Sequence, residues 1–343
     1  MSDEMLCCAS CIDDRGLRER IIPSFSKQSG TCSYCGTENE LLIDPLSLRD
    51  YFEVLISIYS RDENGKTLVE WFKYDWNMFN HPKMDIANSK MLLGDILDDG
   101  DIVREKFSPT DIGQPDRLNL WEGFKKELMF ENRFFPKQKM EEDLLEDLLT
   151  HLVIDPIKVS EQWFRARMQR TSEPFSVDQM GAPPKELASQ GRANPAGIPY
   201  LYLASTHETA VSEIRPHTGE FVSVADFQLQ DSLEIIDLRN PRSTVSPFLL
   251  SDEKKIASLR GDIGFLVQLG NELTRPVLPH AAAIDYIPSQ YLCEFIKKRG
   301  YHGVIYKSSV GNGTNLALFD PTLAVTANVK RYRVARVSVD VET

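Results

Sequence analysis

Five of the six cysteines fall within the first 35 residues, and four of them form two Cys-x-x-Cys pairs, Cys8 with Cys11 and Cys32 with Cys35, separated by 20 residues. This spacing aims two pairs of thiolates at one point, where the backbone amides of each knuckle stabilise their charge, and so predicts a tetrahedral site for structural Zn2+. Gly36, directly after the second pair, supplies the backbone freedom a tight knuckle needs. Disulfides are the alternative, and they fit poorly with a chain that opens on a short acidic stretch rather than a secretory leader. Cys7 is expected to stand outside the site, replacing Cys8 only if the first knuckle is irregular. Cys293, in an apolar helical pattern, is expected in a core. Four thiolates leave no position for a substrate, so the expected role of the metal is in folding.

At 343 residues the chain suits two domains rather than one core. No uninterrupted apolar run approaches the ~20 residues needed to span a bilayer, so a cytoplasmic protein without a membrane partner is expected. The net charge of −12 belongs wholly to residues 1–150, with 30 acids against 18 bases; the remainder balances at 21 of each. An acidic half repels nucleic acid backbones, so no nucleic acid partner is expected. Its ordinary use is to solvate helix faces.

Three segments follow: a zinc-ribbon-like module at 1–40, an acidic helical domain at 41–155, and a domain of different texture at 156–343. Leu46, Leu48, Tyr51, Phe52, Val54, Leu55 and Ile58 recur at helical spacing between Asp44 and Ser60, with Asp44-Pro45 as N-cap and first-turn proline. Residues 137–153 read as an acidic amphipathic helix. From about Asp155-Pro156, strands predicted at 162–168, 200–204, 221–229, 233–238, 303–308, 315–319 and 331–341 alternate unevenly with helices at 206–215, 252–273 and 289–299. The uneven intervals indicate α+β rather than regular βαβ units.

Several polar residues in this half sit where a purely structural account has trouble with them. Arg165 and Arg167 alternate along one strand and share a side. The loop Gly191–Gly197 presents Arg192 and Asn194 just before the strand that holds Tyr202. Glu213, flanked by Ala210, Val211 and Ile214, reads as buried on the next helix. Residues 306–313 run from a strand into a turn whose Ser308 and Ser309 hydroxyls and backbone amides suit an anion. Together they suit a dinucleotide. The arginines can grip a pyrophosphate bidentately and the aromatic ring can stack on nicotinamide. The carboxylate can hold ribose hydroxyls and offset positive charge as a glycosidic bond breaks.

In this order, Phe164-Arg165-Ala166-Arg167, Gly191-Arg192-Ala193-Asn194-Pro195, Leu201-Tyr202-Leu203-Ala204, Glu208–Glu213, Tyr286–Cys293 and Gly303–Ser309 make residues 160–325 resemble an RES domain. The paired cysteines and acidic helices before it are similar, more loosely, to the HEPN-associated domain that precedes some RES domains. The resemblance implies an ADP-ribosyltransferase-like fold and degradation of NAD+ by phosphorolysis, with inorganic phosphate as co-substrate, or by hydrolysis. It also implies a toxin with an antitoxin partner. Carried over by motif, Arg192, Glu213 and Ser308 are the family's named residues. With Tyr202 they form the expected catalytic set, while Arg165, Arg167, Asn194 and Ser309 are the expected nucleotide-binding set. Ala193 departs from the pattern, since many members carry an aromatic there.

The alternatives are a protein ADP-ribosyltransferase using the same nucleotide contacts and a non-enzymatic, zinc-bearing interaction protein. A HEPN-type ribonuclease is disfavoured: Arg275 and His280 have the required five-residue spacing, but among prolines rather than on a helix. A serine hydrolase lacks its Gly-x-Ser-x-Gly elbow. Oligomeric state is open, a homo-oligomer included.

Overall fold

The computed structural model describes residues 5–25, 28–79, 82–110, 116–169, 171, 173–250 and 252–338. It is a mixed α+β protein of two compact units. The first comprises Met1–Arg117 and Asn240–Phe265, the second Leu118–Arg239 and Leu266–Thr343.

In the first unit, β1 (Cys7–Cys8), β2 (Gln28–Gly30) and β3 (Glu40–Ile43) form an antiparallel sheet in the order β1-β3-β2. Gly36 closes the second knuckle at φ +69°, donating its N–H to the Cys32 carbonyl at 3.1 Å. Asp44 accepts from the Leu46 N–H and Pro45 opens the turn, as expected, leading into the helix Arg49–Ile56. That helix stops short of Ser60, because β4 (Tyr59–Lys66) pairs there with β5 (Phe107–Pro109). The β4 sequence Tyr-Ser-Arg-Asp-Glu-Asn-Gly-Lys shows no apolar alternation, so nothing in its own pattern marks a strand inside the helical domain expected at 41–155. The helices Leu68–Trp76 and Ile86–Leu97 follow, the first opened by a Thr67–Glu70 capping box and the second by Asp85.

The second unit is built on an eight-stranded sheet. Its strands are β6 (Val153–Ile154), β7 (Trp163–Met168), β8 (Leu201–Ala204), β9 (Phe221–Leu229), β10 (Ile235–Asp237), β11 (Gly303–Lys307), β12 (Thr314–Leu318) and β13 (Ala324–Arg333). They lie in the order β13-β9-β7-β8-β12-β11-β10-β6, and only the β10–β11 pair is parallel. Period-two alternation feeds both faces. Trp163, Leu201, Leu203, Phe227, Ile305 and Leu316 form one core, while Phe164, Ala166, Ala204, Val222 and Val224 form another on the opposite face.

Two further elements differ from their sequence expectations. The helix expected at 137–153 spans Glu142–Thr150, because the N–H groups of Lys137 and Gln138 are taken by the Glu127 carboxylate at 2.5 and 3.0 Å instead of a helical ladder. The strand expected at 331–341 is β13, which begins at Ala324 and pairs with β9 along its whole length; residues 339–343 lie outside the described residues. Among the described residues no helix is long and apolar enough to cross a membrane. Leu316 is fully buried on β12. Leu316→Ala is expected to cost about 2–5 kcal/mol of stability by transfer and cavity effects, read as a lower denaturant midpoint with an unchanged slope.

Candidate active site

The β7 strand pairs with β9 at six positions but with β8 at one alone, Phe164 with Ala204. Beyond that pair the sheet opens, and Arg165 spans the gap by donating from Nη1 to the Tyr202 carbonyl at 3.0 Å. Its Nε is buried without a hydrogen-bond partner among the described residues. Burial, with Arg167 nearby, pulls the guanidinium down to about 10, which leaves it charged at neutral pH. The opening is a cavity of about 250 Å³ walled by the rings of Phe164, Tyr202 and Tyr306, with Glu213 and Asn315 as its other polar lining groups.

Glu213 reaches this cavity because the helix His207–Glu213 lies across β7, packing Ala210, Val211 and Ile214 onto Phe164, Ala166 and Ala204. Thr206 caps the helix by accepting from the Thr209 N–H at 3.1 Å. Thr209 in turn abuts the turn between β11 and β12, where a Cβ on Gly313 would collide with it. That close approach brings Ser308 Oγ to donate to Glu213 Oε1 at 2.7 Å, and Asn315 Nδ2 donates to the same oxygen at 2.6 Å. The sequence reading of Glu213 as buried does not hold: as the last residue of its helix it is exposed to solvent at the cavity.

The arginine loop is fixed from several sides. Tyr202 donates its hydroxyl to Asn194 Oδ1 at 2.7 Å and accepts from the Ala193 N–H at 3.0 Å, while burial holds the phenol well above its ordinary range. Asn194 Nδ2 is shared among the carbonyls of Ser189, Pro195 and Ile198. From the helix Ile287–Lys298, Ser289 donates to the Arg192 carbonyl and Gln290 to those of Gly191 and Asn194. Arg192 itself donates to the Arg275 carbonyl at 2.7 Å and to Ser309 Oγ at 3.0 Å, with its guanidinium 5.4 Å from the Tyr286 ring centre.

Consecutive serines therefore hold the two charged groups, Ser309 on Arg192 and Ser308 on Glu213. Arg165, Tyr202 and Glu213 line the cavity, whereas Arg192 and Ser309 do not. Two of the expected nucleotide-binding residues are committed elsewhere. The polar atoms of Asn194 are spent within its loop, and Arg167 bonds the Gln179 carbonyl with its guanidinium over Phe175. Tyr306 and Asn315, by contrast, were not among the expected site residues. Tyr306 lies on β11 two residues before Ser308, which follows the end of that strand.

In the first unit, the sulfurs of Cys8, Cys11, Cys32 and Cys35 all lie within 4.8 Å of one another, and all four residues are buried. Cys8 and Cys35 sulfurs are 3.6 Å apart and those of Cys11 and Cys32 3.3 Å. A tetrahedral Zn–S length of about 2.3 Å requires sulfurs roughly 3.8 Å apart, so the donor set fits the metal. Cys7 stands outside this group.

The chain belongs to the RES domain family, whose model matches residues 162–337, about half the chain. Among solved structures it is similar to a chain in the crystal structure of the M. tuberculosis MbcT–MbcA toxin–antitoxin complex. The identity is 15% and the TM-score 0.33, with 57% of this chain and 94% of that chain covered. No curated protein matches the chain.

Because Gly313 is glycine for want of space, Gly313→Ala is expected to push the turn off Thr209 and cost about 1–3 kcal/mol of stability. Thermal denaturation checks this, with Gly36→Ala separating a φ effect from a packing effect: Gly36 has nothing within 4 Å of its missing Cβ.

Proposed function

We propose that the protein is an NAD+-consuming enzyme that cleaves the nicotinamide–ribose bond. The observation that carries this reading is the Arg192–Ser309, Ser308–Glu213 chain beside an aromatic-walled cavity, inside the region that matches the RES family. At about 250 Å³ the cavity is small beside the ~300–1,000 Å³ of typical ligand sites. It suits the nicotinamide riboside end of the dinucleotide, leaving the pyrophosphate outside, where Arg192 and Ser309 would hold its oxygens.

In this reading the nicotinamide ring lies among Phe164, Tyr202 and Tyr306. Tyr202 acts through its ring, because its hydroxyl is engaged with the arginine loop. Arg165 supports the opening and adds positive potential towards the phosphates. Asn194 and Arg167 act as positioning residues, through the loop and through the segment around Gln179. Glu213 accepts a ribose hydroxyl on its second oxygen and offsets the charge of an oxocarbenium-like transition state, while Ser308 and Asn315 fix its first oxygen. The bond from the anomeric carbon to the ring nitrogen breaks with its electron pair, so nicotinamide leaves neutral. We favour attack by phosphate over water, because the Ser308–Gly313 turn offers hydroxyls and amides for an anion. Phosphate attack yields ADP-ribose 1″-phosphate; water yields ADP-ribose.

A toxin that depletes cellular NAD+, acting in the cytoplasm and restrained by an antitoxin, is the biological role proposed, and its support is family membership. The four-cysteine site is proposed to hold one structural Zn2+ through Cys8, Cys11, Cys32 and Cys35, in an N-terminal domain of the HEPN-associated kind.

Arg192→Ala and Glu213→Ala are each expected to lower kcat/KM for NAD+ by about 10²–10³-fold, with circular dichroism unchanged. Full activity in either folded variant removes the site assignment. Mass spectrometry of products in phosphate and in phosphate-free buffer separates phosphorolysis from hydrolysis, and label transferred from NAD+ to protein would indicate an ADP-ribosyltransferase. Elemental analysis should find one zinc per chain, and chelation should melt the N-terminal unit before the second.

A further inference from the structure

The end of the helix Arg117–Phe130 and the segment after it display the most exposed aromatic side chains among the described residues: Phe130 at 68% and Phe134 and Phe135 at 81% each. The segment is held in place. The buried Glu127 carboxylate takes the N–H groups of Lys137 and Gln138. Gln138 Nε2 donates to the Leu120 carbonyl at 2.7 Å, and the Phe135 N–H donates to Asn132 Oδ1 at 3.1 Å. Aromatic groups presented to solvent from a backbone that folding has already ordered are the usual anchors of protein contacts.

The charges around them are laid out in sequence. Among the described residues, Lys126, Arg133, Lys137 and Lys139 are exposed and enter no ion pair, and Glu131 is the one exposed acid between them. Directly after come Glu141, Asp143 and Asp147, also exposed and without an ion pair among the described residues, while their neighbours Glu142 and Glu146 are engaged by Lys298 and Arg299. A cationic aromatic stretch thus adjoins an anionic one. A two-fold axis that brings a second copy in antiparallel against this stretch would set each cationic stretch against the other's anionic one, forming the contact twice, whereas like-on-like stacking is repelled.

We propose that Phe130, Phe134 and Phe135 anchor a two-fold dimer in which Lys126, Arg133, Lys137 and Lys139 of one copy face Glu141, Asp143 and Asp147 of the other. The surface lies outside residues 162–337, so the dimer stands apart from the NAD+ reading.

Sedimentation velocity of the full chain at roughly 1–100 μM, a range suited to a modest-sized contact, provides the test. Wild type should dimerise, more weakly as salt rises. F134S/F135S should weaken the dimer by at least about 30-fold, as loss of an anchoring pair does, with an unchanged melting temperature because both rings are exposed. D143K/D147K should weaken it too, and adding K137E/K139E should restore it. Three outcomes overturn the proposal: a wild type monomeric throughout, a dimer indifferent to F134S/F135S, or a monomer that instead floats with phosphatidylserine vesicles.

Discussion

The second unit depends on one missing stretch of strand pairing. β7 and β8 meet at a single residue pair, so the large sheet is continuous in order but open in its middle. A fully paired sheet would satisfy Arg165's neighbours through the ladder and leave no room for a ligand. Instead a guanidinium bridges the strands to one carbonyl and keeps the opening charged, which is costly unless something outside the protein uses that charge. The helix carrying Glu213 packs against an edge of this opening, and the hairpin turn carrying both serines packs against that helix.

Around the opening, the hydrogen bonds fall into those that build and those that wait. Tyr202, Asn194, Ser289 and Gln290 are occupied in shaping the loop that carries Arg192. Glu213 has one oxygen bound twice and the other with no partner among the described residues. A group half held in this way is oriented yet still available, the condition under which a carboxylate can respond to charge developing on a ligand without first reorganising.

The parts of the site that could be read from the sequence were those whose chemistry is local. Two Cys-x-x-Cys knuckles in a single small module point four sulfurs at one place, and the sulfurs do converge. The order of Arg192, Glu213 and Ser308 carried the family. Tyr306 and Asn315 were passed over because a tyrosine and an asparagine inside apolar strands read as core, and only the neighbouring strands determine which face is a cavity. The polar β4 strand escaped notice because its partner, rather than its own pattern, makes it a strand. Glu213 is exposed despite its apolar neighbours, because apolar spacing along a helix does not say where that helix ends.

By itself the sequence determined the element types with strong periodicity, the convergence of four cysteine sulfurs and the family, because each depends on residues a few positions apart or on a fixed order of motifs. Tertiary structure alone decided that β7 and β8 part company, and that Gly313 admits Thr209 so closely that Ser308 reaches Glu213. It also decided that Arg167 and Asn194 turn to structural partners. These outcomes depend on distances between segments tens of residues apart, set by packing that no single segment encodes.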